Sequence, residues 1–471
     1  MNPFKRSLVW IRRDLRTHDH RAWSAAEQES EETAVVFVFD SNILKKISNK
    51  EDRRLTFIYE SLVEVDSQLR AKGSQLIVLH GDPTQEIPQL AQKLNIDAVF
   101  TNRDYEPYAK KRDILIEETL KKAGKKFFSL KDQVIFEADE VKNLSGDYFK
   151  VFTPYSKTWR AKVTKQNVEE ARVRLKNLIP AKNLQEFPQK LELESVGFKE
   201  TKNWIKGGSK NAHKLAQEFL VSVKNYKDER DFPALTQGTS HLSTHLRFGT
   251  INVRELFRET WGLQNAGALT WQNELIWREF YQMLLSAYPS LPENCFQEKC
   301  NSIKWPGTQK DFKAWCEGQT GYPIVDAAMR HFNKTGWMHN RLRMIVASFL
   351  TKDLLCSWKW GEKYFADHLL DFDLASNNGG WQWAASVGCD AQPYFRIFNP
   401  VLQSERFDPE GVFLKAELPE LKKIPLKYLH APWTATPLEL SAYGIELGKT
   451  YPHPIVIHAE QKDKAIKLFK S

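Results

Sequence analysis

Two apolar runs decide the fold of the N-terminal part of the chain: AVVFVFD at residues 34–40 and QLIVLH at residues 75–80. Each is short and nearly continuous in apolar side chains, which is typical of a strand buried on both faces. Between them, residues 51–72 carry apolar side chains at spacings of three and four from Leu55 to Leu69, which predicts an amphipathic helix. This alternation predicts a parallel sheet.

Three further runs of the same kind, at residues 7–11, 97–101 and 126–130, predict strands that complete the sheet. No G-x-G-x-x-G sequence follows any of them, so the dinucleotide-binding fingerprint is absent. From about residue 201 onward helical periodicity dominates. The predicted fold class is therefore an α/β, doubly wound parallel-sheet domain followed by a large all-α domain.

The length of 471 residues exceeds what one core usually serves, which favours two domains. We expect an α/β domain at residues 1–130, an inter-domain linker at residues 131–200 and the helical domain at residues 201–471. The middle segment is predicted as a linker because its composition is mixed, with many Lys and Glu residues and several prolines.

The composition, with 42% hydrophobic and 27% charged residues, excludes disordered and fibrous classes. The formal net charge is +9, which favours a polyanionic partner if the excess gathers on one face. The longest purely apolar run spans residues 34–39, whereas a membrane span needs roughly 20 residues, so no membrane segment is expected. The five cysteines contain no C-x-x-C pair, which favours reduced thiols and a cytoplasmic location.

The triplet His18-Asp19-His20 has metal-binding side chains, but it lies in a polar turn after the first predicted strand. We interpret it as a loop and expect no metal site.

Residues 239–243, Thr-Ser-His-Leu-Ser, place three hydroxyl groups at the predicted start of a helix. Hydroxyl and free backbone N–H groups at a helix start suit a phosphate. The alternative is that these hydroxyls only cap the helix, and both interpretations stay open.

Two predicted helices carry polar faces that a core does not need. One face of the first carries Glu274, Trp277, Arg278 and Tyr281. The second, at residues 338–350, places Asn340 and Met344 one turn apart, an amide beside a soft apolar group that suits a nucleobase. Taken alone, either face is equally well explained as ordinary surface.

Residues 371–383, DFDLASNNGGWQW, contain two acids, two amides, two glycines and two indoles. The glycines allow close approach of a backbone, and the amides and acids supply donors and acceptors. A planar, nitrogen-rich cofactor fits this segment. Ten of the fifteen tryptophans lie between residues 261 and 383.

At these motifs the chain resembles the DNA photolyases of the photolyase and cryptochrome family. The resemblance is carried by WIRRDLR at residues 10–16, YSKTW at 155–159, GWMHNRLRM at 336–344, NNGGWQW at 377–383 and FNP at 398–400. It is closest to the class I bacterial enzymes that split cyclobutane pyrimidine dimers. Members acting on the (6-4) photoproduct have a His at the position of Asn340, and plant cryptochromes have an Asp at the position of Asn377.

The resemblance implies a buried, U-shaped FAD. Its surroundings would be Tyr226, Thr239, Ser240, His241, Leu242, Ser243 and Trp271 on the phosphate and adenine side, and Arg343, Asp371, Phe372 and Asp373 at the other polar edges. Asn377 would face the reactive ring nitrogen of the flavin. Trp381, Trp358 and Trp305 match the positions that relay electrons from the protein surface to photoexcited oxidised flavin.

The resemblance also implies repair of UV-damaged DNA, single- or double-stranded and with little sequence preference, by a monomer. An excited reduced FAD gives one electron to the flipped-out dimer and regains it after the ring opens. Glu274, when protonated, would donate a hydrogen bond to the dimer and is the expected catalytic side chain together with Asn377. The DNA- and lesion-binding side chains would be Arg230, Glu274, Trp277, Arg278, Tyr281, Asn340, Arg341, Met344, Trp383 and Gln403.

A second, antenna chromophore is expected, either methenyltetrahydrofolate or a deazaflavin. Folate-binding relatives have an Asn and a Glu where this chain has Tyr108 and Ala109. Two alternatives to the repair enzyme stay open: a flavin photoreceptor that signals without repair, and a light-independent nucleic-acid binder.

Overall fold

The computed structural model describes residues 3–188 and 190–470. These residues pack into two compact units, named here unit 1 and unit 2. Unit 1 contains the residues up to Phe149, together with Thr153–Val221 and Ser240–Pro289. Unit 2 contains Lys150–Phe152, Ser222–Thr239 and the residues from Ser290 onward. The predicted domain limits at residues 130 and 200 are not decided by this division and stay a prediction.

Unit 1 is built on a five-stranded sheet in which all neighbouring strands are parallel. The strands are β1 (Phe4–Ile11), β2 (Ser30–Asp40), β3 (Leu76–Gly81), β4 (Ala98–Asn102) and β5 (Lys126–Leu130). Their order is β3-β2-β1-β4-β5, so the chain winds outward in both directions from the centre. The doubly wound α/β part of the predicted fold class is confirmed.

The sheet forms where the sequence predicts it because its strands are buried on both faces. Val9 of β1 pairs with Val35 of β2 on one side and Phe100 of β4 on the other. The strands β1 and β2 begin earlier than predicted, since Phe4 pairs with Ser30. The first residues of β2 are polar, so a search for apolar runs misses them, although their backbone groups pair with β1.

The described residues contain twenty-one α-helices. Those up to Ala287 are α1 (Arg21–Glu29), α2 (Ser41–Leu44), α3 (Arg53–Arg70), α4 (Pro83–Lys93), α5 (Pro107–Lys122), α6 (Phe152–Lys162), α7 (Ser209–Ser222), α8 (Tyr226–Glu229), α9 (Ser243–Phe248), α10 (Val253–Glu259) and α11 (Ala266–Ala287). The amphipathic helix predicted at residues 51–72 is α3, capped by the Asp52 side chain, which accepts a hydrogen bond from the Arg54 backbone.

The remaining helices belong to unit 2. They are α12 (Gln309–Glu317), α13 (Pro323–Thr335), α14 (Asn340–Ser348), α15 (Trp358–His368), α16 (Leu374–Ala384), α17 (Pro400–Phe407), α18 (Val412–Glu417), α19 (Leu426–Leu429), α20 (Pro437–Ser441) and α21 (His458–Lys470). A short π-helix, Phe349–Asp353, continues α14. After β5 the described residues contain no β-strand, which agrees with the predicted helical part.

The segment predicted as a linker is largely irregular. It contains α6 and four short 3-10 turns: Ala138–Glu140, Lys165–Val168, Ala181–Asn183 and Leu193–Val196. Among the described residues, no helix is both long and apolar enough to cross a membrane.

Candidate functional site

In unit 2, the start of α14 is tied to the segment that precedes α16 by an ion pair. Nη2 of Arg343 lies 2.8 Å from Oδ2 of Asp371, and Nε of Arg343 donates to the Met338 backbone oxygen. Asp371 is 7% exposed, and its other oxygen, Oδ1, is buried without a hydrogen-bond partner among the described residues. One carboxylate oxygen is thus fixed and the other remains available to a ligand.

The helix α16 contains the amides of the motif at residues 377–383. Asp373 caps its start by accepting a hydrogen bond from the Ser376 backbone. The side-chain nitrogen of Asn377 donates to the backbone oxygen of Glu362, and that of Asn378 donates to Oε1 of the Glu362 carboxylate at 2.8 Å. The structure therefore anchors both amides to α15.

Glu362 was not among the predicted site residues. Burial raises the pKa of Glu362 to about 7, while the hydrogen bond from Asn378 opposes the shift. No sequence motif singled out this residue, because its partners come from the next helix.

The three predicted relay tryptophans all belong to or pack against one apolar core of unit 2. Trp381 on α16 and Trp358 at the start of α15 are buried, whereas Trp305 is partly exposed and packs edge-on against Phe469. Trp381 comes so close to α15 that a Cβ at Gly361 would lie 2.1 Å from its ring. The glycine is what allows this approach.

The predicted amide and thioether on α14 are neighbours. The side-chain nitrogen of Asn340 lies 3.8 Å from the Met344 sulfur, and Asn340 is exposed. Next to Asn340, the guanidinium of Arg341 lies 2.7 Å from Oδ2 of Asp231 and 4.3 Å from the centre of the Phe407 ring. At the start of α14, an ion pair made by Arg341 therefore lies next in sequence to the exposed amide of Asn340.

Five other predicted residues lie in the same unit. Tyr226 is buried at the start of α8, and the guanidinium of Arg230 lies 5.2 Å from the centre of its ring. Oε1 of Gln403, on α17, is buried without a hydrogen-bond partner in the part of the chain that the structure describes. Phe372 and Trp383 are partly buried against the core.

The hydroxyl-rich segment is divided between the units, with Thr239 in unit 2 and residues 240–243 in unit 1. The N-cap of α9 is Leu242, which makes no side-chain capping bond. The alternative that these hydroxyls cap the helix is therefore not realised. Instead, Ser240 accepts from the Leu242 backbone, and His241 adopts a positive φ of 52°.

The helix α11 carries five of the predicted residues, all in unit 1. Trp271 is buried against Phe219. Trp277 and Tyr281 meet on one face with ring centres 5.6 Å apart, as the spacing predicts, and Glu274 is half-buried. Arg278 donates to the backbone oxygen of Gln133 at 2.6 Å, a structural contact that the sequence did not indicate.

Glu279, the neighbour of Arg278, is a buried carboxylate that sequence reasoning missed. It accepts hydrogen bonds from Nε1 of Trp159 and from the backbone N–H groups of Ile135 and Phe136. Burial raises its pKa to about 7, against the lowering effect of these bonds. The only sequence feature that involved this contact was its partner Trp159, which belongs to the YSKTW motif.

The two positions that are expected to distinguish a folate antenna from a deazaflavin antenna, Tyr108 and Ala109, lie in unit 1. The Tyr108 hydroxyl donates to Oδ2 of Asp40 at 2.7 Å, and its pKa is raised to about 12 by burial and by this bond. Ala109 is buried. Nearby, Trp10 lies between the guanidinium groups of Arg12 and Arg112, at 4.5 and 4.9 Å from the ring centre.

The residues assigned to FAD fit such a group. The hydroxyl oxygen of Thr239 and Oδ1 of Asp371 are buried and have no hydrogen-bond partner among the described residues. Oγ1 of Thr244, just after the hydroxyl-rich segment, is also buried and has no hydrogen-bond partner among the described residues. Buried polar atoms are almost always paired in folded proteins, so these three atoms can take hydrogen bonds from a bound group. FAD, with its phosphates, hydroxyls and ring N–H groups, supplies suitable partners.

A doubly wound sheet and a helical unit with buried indoles, an amide-rich helix and unpaired buried polar atoms agree with a flavoprotein of the photolyase type. Residues 7–174 match the family described as DNA photolyase, and residues 271–471 match the FAD binding domain of DNA photolyase. The chain is 38% identical to a deoxyribodipyrimidine photo-lyase of Vibrio cholerae over 98% of this chain and 99% of the relative. The chain belongs to the DNA photolyase family, and FAD is its cofactor.

Solved structures agree with this assignment. A bacterial class III photolyase from Agrobacterium tumefaciens superimposes with a TM-score of 0.90 at 34% identity, covering 99% of this chain and 97% of that one. The cryptochrome of Synechocystis sp. PCC6803 superimposes with a TM-score of 0.86 at 28% identity, covering 99% and 100%. The predicted fold class is confirmed, whereas the expected class I membership stays a prediction.

Proposed function

We propose that this protein repairs cyclobutane pyrimidine dimers in DNA in a reaction driven by blue light. The observation that carries the proposal is the contact between the exposed amide of Asn340 and the sulfur of Met344 at the start of α14. An amide can hydrogen-bond the imide edge of a pyrimidine, and a thioether adapts to the apolar cyclobutane side.

The chemistry that bound FAD supplies is a light-driven one-electron donation that is returned once the dimer has opened. The Arg343–Asp371 pair would hold the cofactor's polar edge, with Oδ1 of Asp371 accepting from it. The hydroxyls of residues 239–243 and the Trp271 ring would hold the phosphate and adenine side. Asn377, whose side-chain nitrogen is held by the Glu362 backbone, would present its amide oxygen to the flavin ring.

The lesion would be received by aromatic and polar side chains. Trp277, backed by Tyr281, and Trp383 would cover the cyclobutane side. A protonated Glu274 would donate a hydrogen bond to a dimer carbonyl and stabilise the charge that the added electron brings. We assign Arg278 a supporting role, since its guanidinium is bonded to the Gln133 backbone.

UV-damaged DNA, single- or double-stranded, is the proposed partner of a monomeric enzyme. The formal net charge of +9 supports phosphate contacts that depend little on sequence. Arg230, Arg341 and Gln403 would reach the DNA backbone or the lesion edge. The five free cysteines, four of them buried, support a reducing, cytoplasmic environment.

For the antenna we propose a chromophore other than folate. The positions of the folate-binding Asn and Glu hold Tyr108, whose hydroxyl is engaged by Asp40, and the buried Ala109, which offers no donor. We keep residues 1–130 as the antenna-type domain, residues 131–200 as the linker and residues 201–471 as the FAD-binding catalytic domain.

The test is dimer reversal by the FAD-loaded protein after chemical reduction, under blue light, on an oligonucleotide with a single thymine dimer. A matched oligonucleotide carries a (6-4) photoproduct instead. We expect reversal of the dimer only, and none in the dark. Glu274→Ala should lower the yield per absorbed photon at saturating DNA, whereas Glu274→Gln, which keeps an N–H donor, should retain more of it.

The resemblance to the Synechocystis cryptochrome structure supports a second candidate function, that of a flavin photoreceptor without repair activity. That function would be supported if the reduced, illuminated protein bound FAD and showed light-driven flavin chemistry but left both photoproducts intact. A colourless protein without FAD would contradict both functions.

A further inference from the structure

Unit 1 contains a cluster of two histidines and a carboxylate that the proposed repair chemistry does not use. His18 follows β1, His213 lies on α7 and Glu255 lies on α10. Nε2 of His213 is 2.7 Å from Oε1 of Glu255, and Nε2 of His18 is 3.3 Å from Oε2. One potential ligand atom from each residue lies within 4.8 Å of the other two.

The hydrogen bonds of His213 fix its tautomer. Its Nδ1 is 2.7 Å from the backbone oxygen of Ser209, and because that oxygen only accepts, Nδ1 carries the hydrogen. In the neutral imidazole, Nε2 then directs a lone pair at the Glu255 carboxylate, which also only accepts. Either a proton or a metal ion between the two groups removes this conflict. A ring N–H donated to a backbone carbonyl is also how metal-binding histidines are usually oriented.

Both imidazoles face the one carboxylate of Glu255, and their ring centres are 4.7 Å apart. A single divalent ion serves both nitrogens and the carboxylate at once. A second carboxylate, Glu64 on α3, acts electrostatically on His213 and adds negative charge around the cluster.

We propose that His18, His213 and Glu255 bind one transition-metal ion of the Zn²⁺ type, with water in the fourth position. Two nitrogens and one carboxylate suit Zn²⁺, whereas Mg²⁺ and Ca²⁺ prefer oxygen ligands only. Ligands at about 2.0–2.1 Å in a tetrahedron lie about 3.3 Å from one another. The distances of 2.7 Å to Oε1 and 3.3 Å to Oε2 run to different oxygens of Glu255, so a rotation of that carboxylate is needed to bring one oxygen to both nitrogens.

The site differs from the triplet His18-Asp19-His20 that the sequence shows. Asp19 forms ion pairs with Arg254 and Arg258, and Nε2 of His20 lies 3.1 Å from Oδ2 of Asp14. Only His18 of the three reaches the cluster. Because its ligands come from a loop and two helices, bound metal would also stabilise unit 1 by mass action.

The experiment is calorimetric titration of the full-length, FAD-loaded protein with ZnCl₂ after treatment with a chelator. We expect one Zn²⁺ per chain for the parent and for His453→Gln, a control at an exposed histidine outside the cluster. His213→Gln and Glu255→Gln should each bind at least tenfold more weakly, with unchanged flavin absorbance and far-UV circular dichroism. Equal affinity in the parent and both cluster variants, or no stoichiometric binding by the parent, would overturn the proposal in favour of a protonated ion-pair cluster.

A measurement on the parent protein covers the case in which a variant does not fold. With Co²⁺ in place of Zn²⁺, the proposed site gives the visible bands of a four-coordinate ion with nitrogen and oxygen ligands. Intense sulfur-to-metal charge-transfer bands would place the ion at a cysteine instead, and would equally overturn the assignment.

Discussion

The indole nitrogen of Trp159 lies 2.5 Å from Oε1 of Glu279, a carboxylate that is 2% exposed. The other oxygen accepts from the Ile135 backbone, and Oε1 accepts a second bond from Phe136. The one side chain of Glu279, on α11 of unit 1, therefore accepts hydrogen bonds from three N–H groups: those of the Ile135 and Phe136 backbone and of the Trp159 indole. The Glu279 carboxylate therefore helps to hold part of the predicted linker in place.

Replacing Glu279 by Ala should destabilise the protein strongly. It leaves three N–H donors without their acceptor, and a buried unsatisfied group costs about 1–3 kcal/mol. We expect the free energy of unfolding to fall by on the order of 3 kcal/mol, measured by denaturant titration with circular dichroism. Glu259→Ala, at the exposed last residue of α10, is the control and should stay within about 0.5 kcal/mol. Equal effects of the two substitutions would contradict this role.

The same carboxyl group predicts a pH dependence. Burial raises the pKa of Glu279 in the folded state to about 7, so the folded protein keeps a proton that the unfolded chain loses from about pH 4.5 upward. Its contribution to stability is therefore full below about pH 4.5 and is lost as the pH rises toward 7. The Gln side chain of Glu279→Gln is neutral at every pH, so this variant should not lose stability in this way. Between about pH 5 and about pH 7, the Tm of the variant should therefore rise relative to the Tm of the parent. Parallel Tm profiles would contradict the raised pKa.

The sequence predicted the parts of the fold whose signal is local. The strands of the sheet are recognisable because each is apolar and buried, and α3 because its apolar face repeats along one helix. The contact of Asn340 with Met344 follows from helical spacing alone. The partners of Glu279 and Arg278 come from residues more than a hundred positions earlier, so no spacing rule indicates them. The cluster of His18, His213 and Glu255 was hidden for the same reason.

Removing the indole of Trp277 should weaken discrimination between damaged and intact DNA. A stacked aromatic side chain is worth about 1–3 kcal/mol per base by alanine substitution in single-strand binders, and only the flipped lesion would meet it here. Titration of both DNAs with Trp277→Ala should show the loss for the damaged duplex alone. Trp261→Ala, an indole of the same unit outside the proposed pocket, should leave the ratio of affinities unchanged. Equal losses on both DNAs would remove Trp277 from the lesion pocket.

The ion pair between Arg341 and Asp231 predicts how DNA affinity depends on salt. If Arg341 meets a phosphate, Arg341→Ala should lower the slope of log affinity against log salt by about one. Asp231→Asn removes the competing carboxylate and should raise affinity at low salt. Unchanged slopes in both variants would mean that the pair serves only to order the start of α14.

The last prediction concerns the buried tryptophans of unit 2. Indole is among the side chains most easily oxidised by one electron, so a chain of indoles can pass an electron inward and a hole outward. Trp381 is buried close to α15, Trp358 is buried at the start of that helix, and Trp305 is partly exposed, so the exposure of the three indoles agrees with a relay that ends at the surface. Trp381→Phe keeps most of the buried ring, and it should abolish light-driven reduction of oxidised FAD. Repair by the chemically reduced protein should persist.

Flavin absorbance under illumination with an external thiol measures the first effect, and dimer reversal after dithionite reduction measures the second. Trp261→Phe removes an indole from unit 1 and should leave both unchanged. Packing alone would also account for three buried or half-buried indoles, since aromatic clusters usually serve the core. A Trp381→Phe variant that is photoreduced at the parent rate would establish that structural role. Loss of both activities, with FAD retained, would instead place Trp381 in the repair step itself, because the relay is not needed once the flavin is reduced.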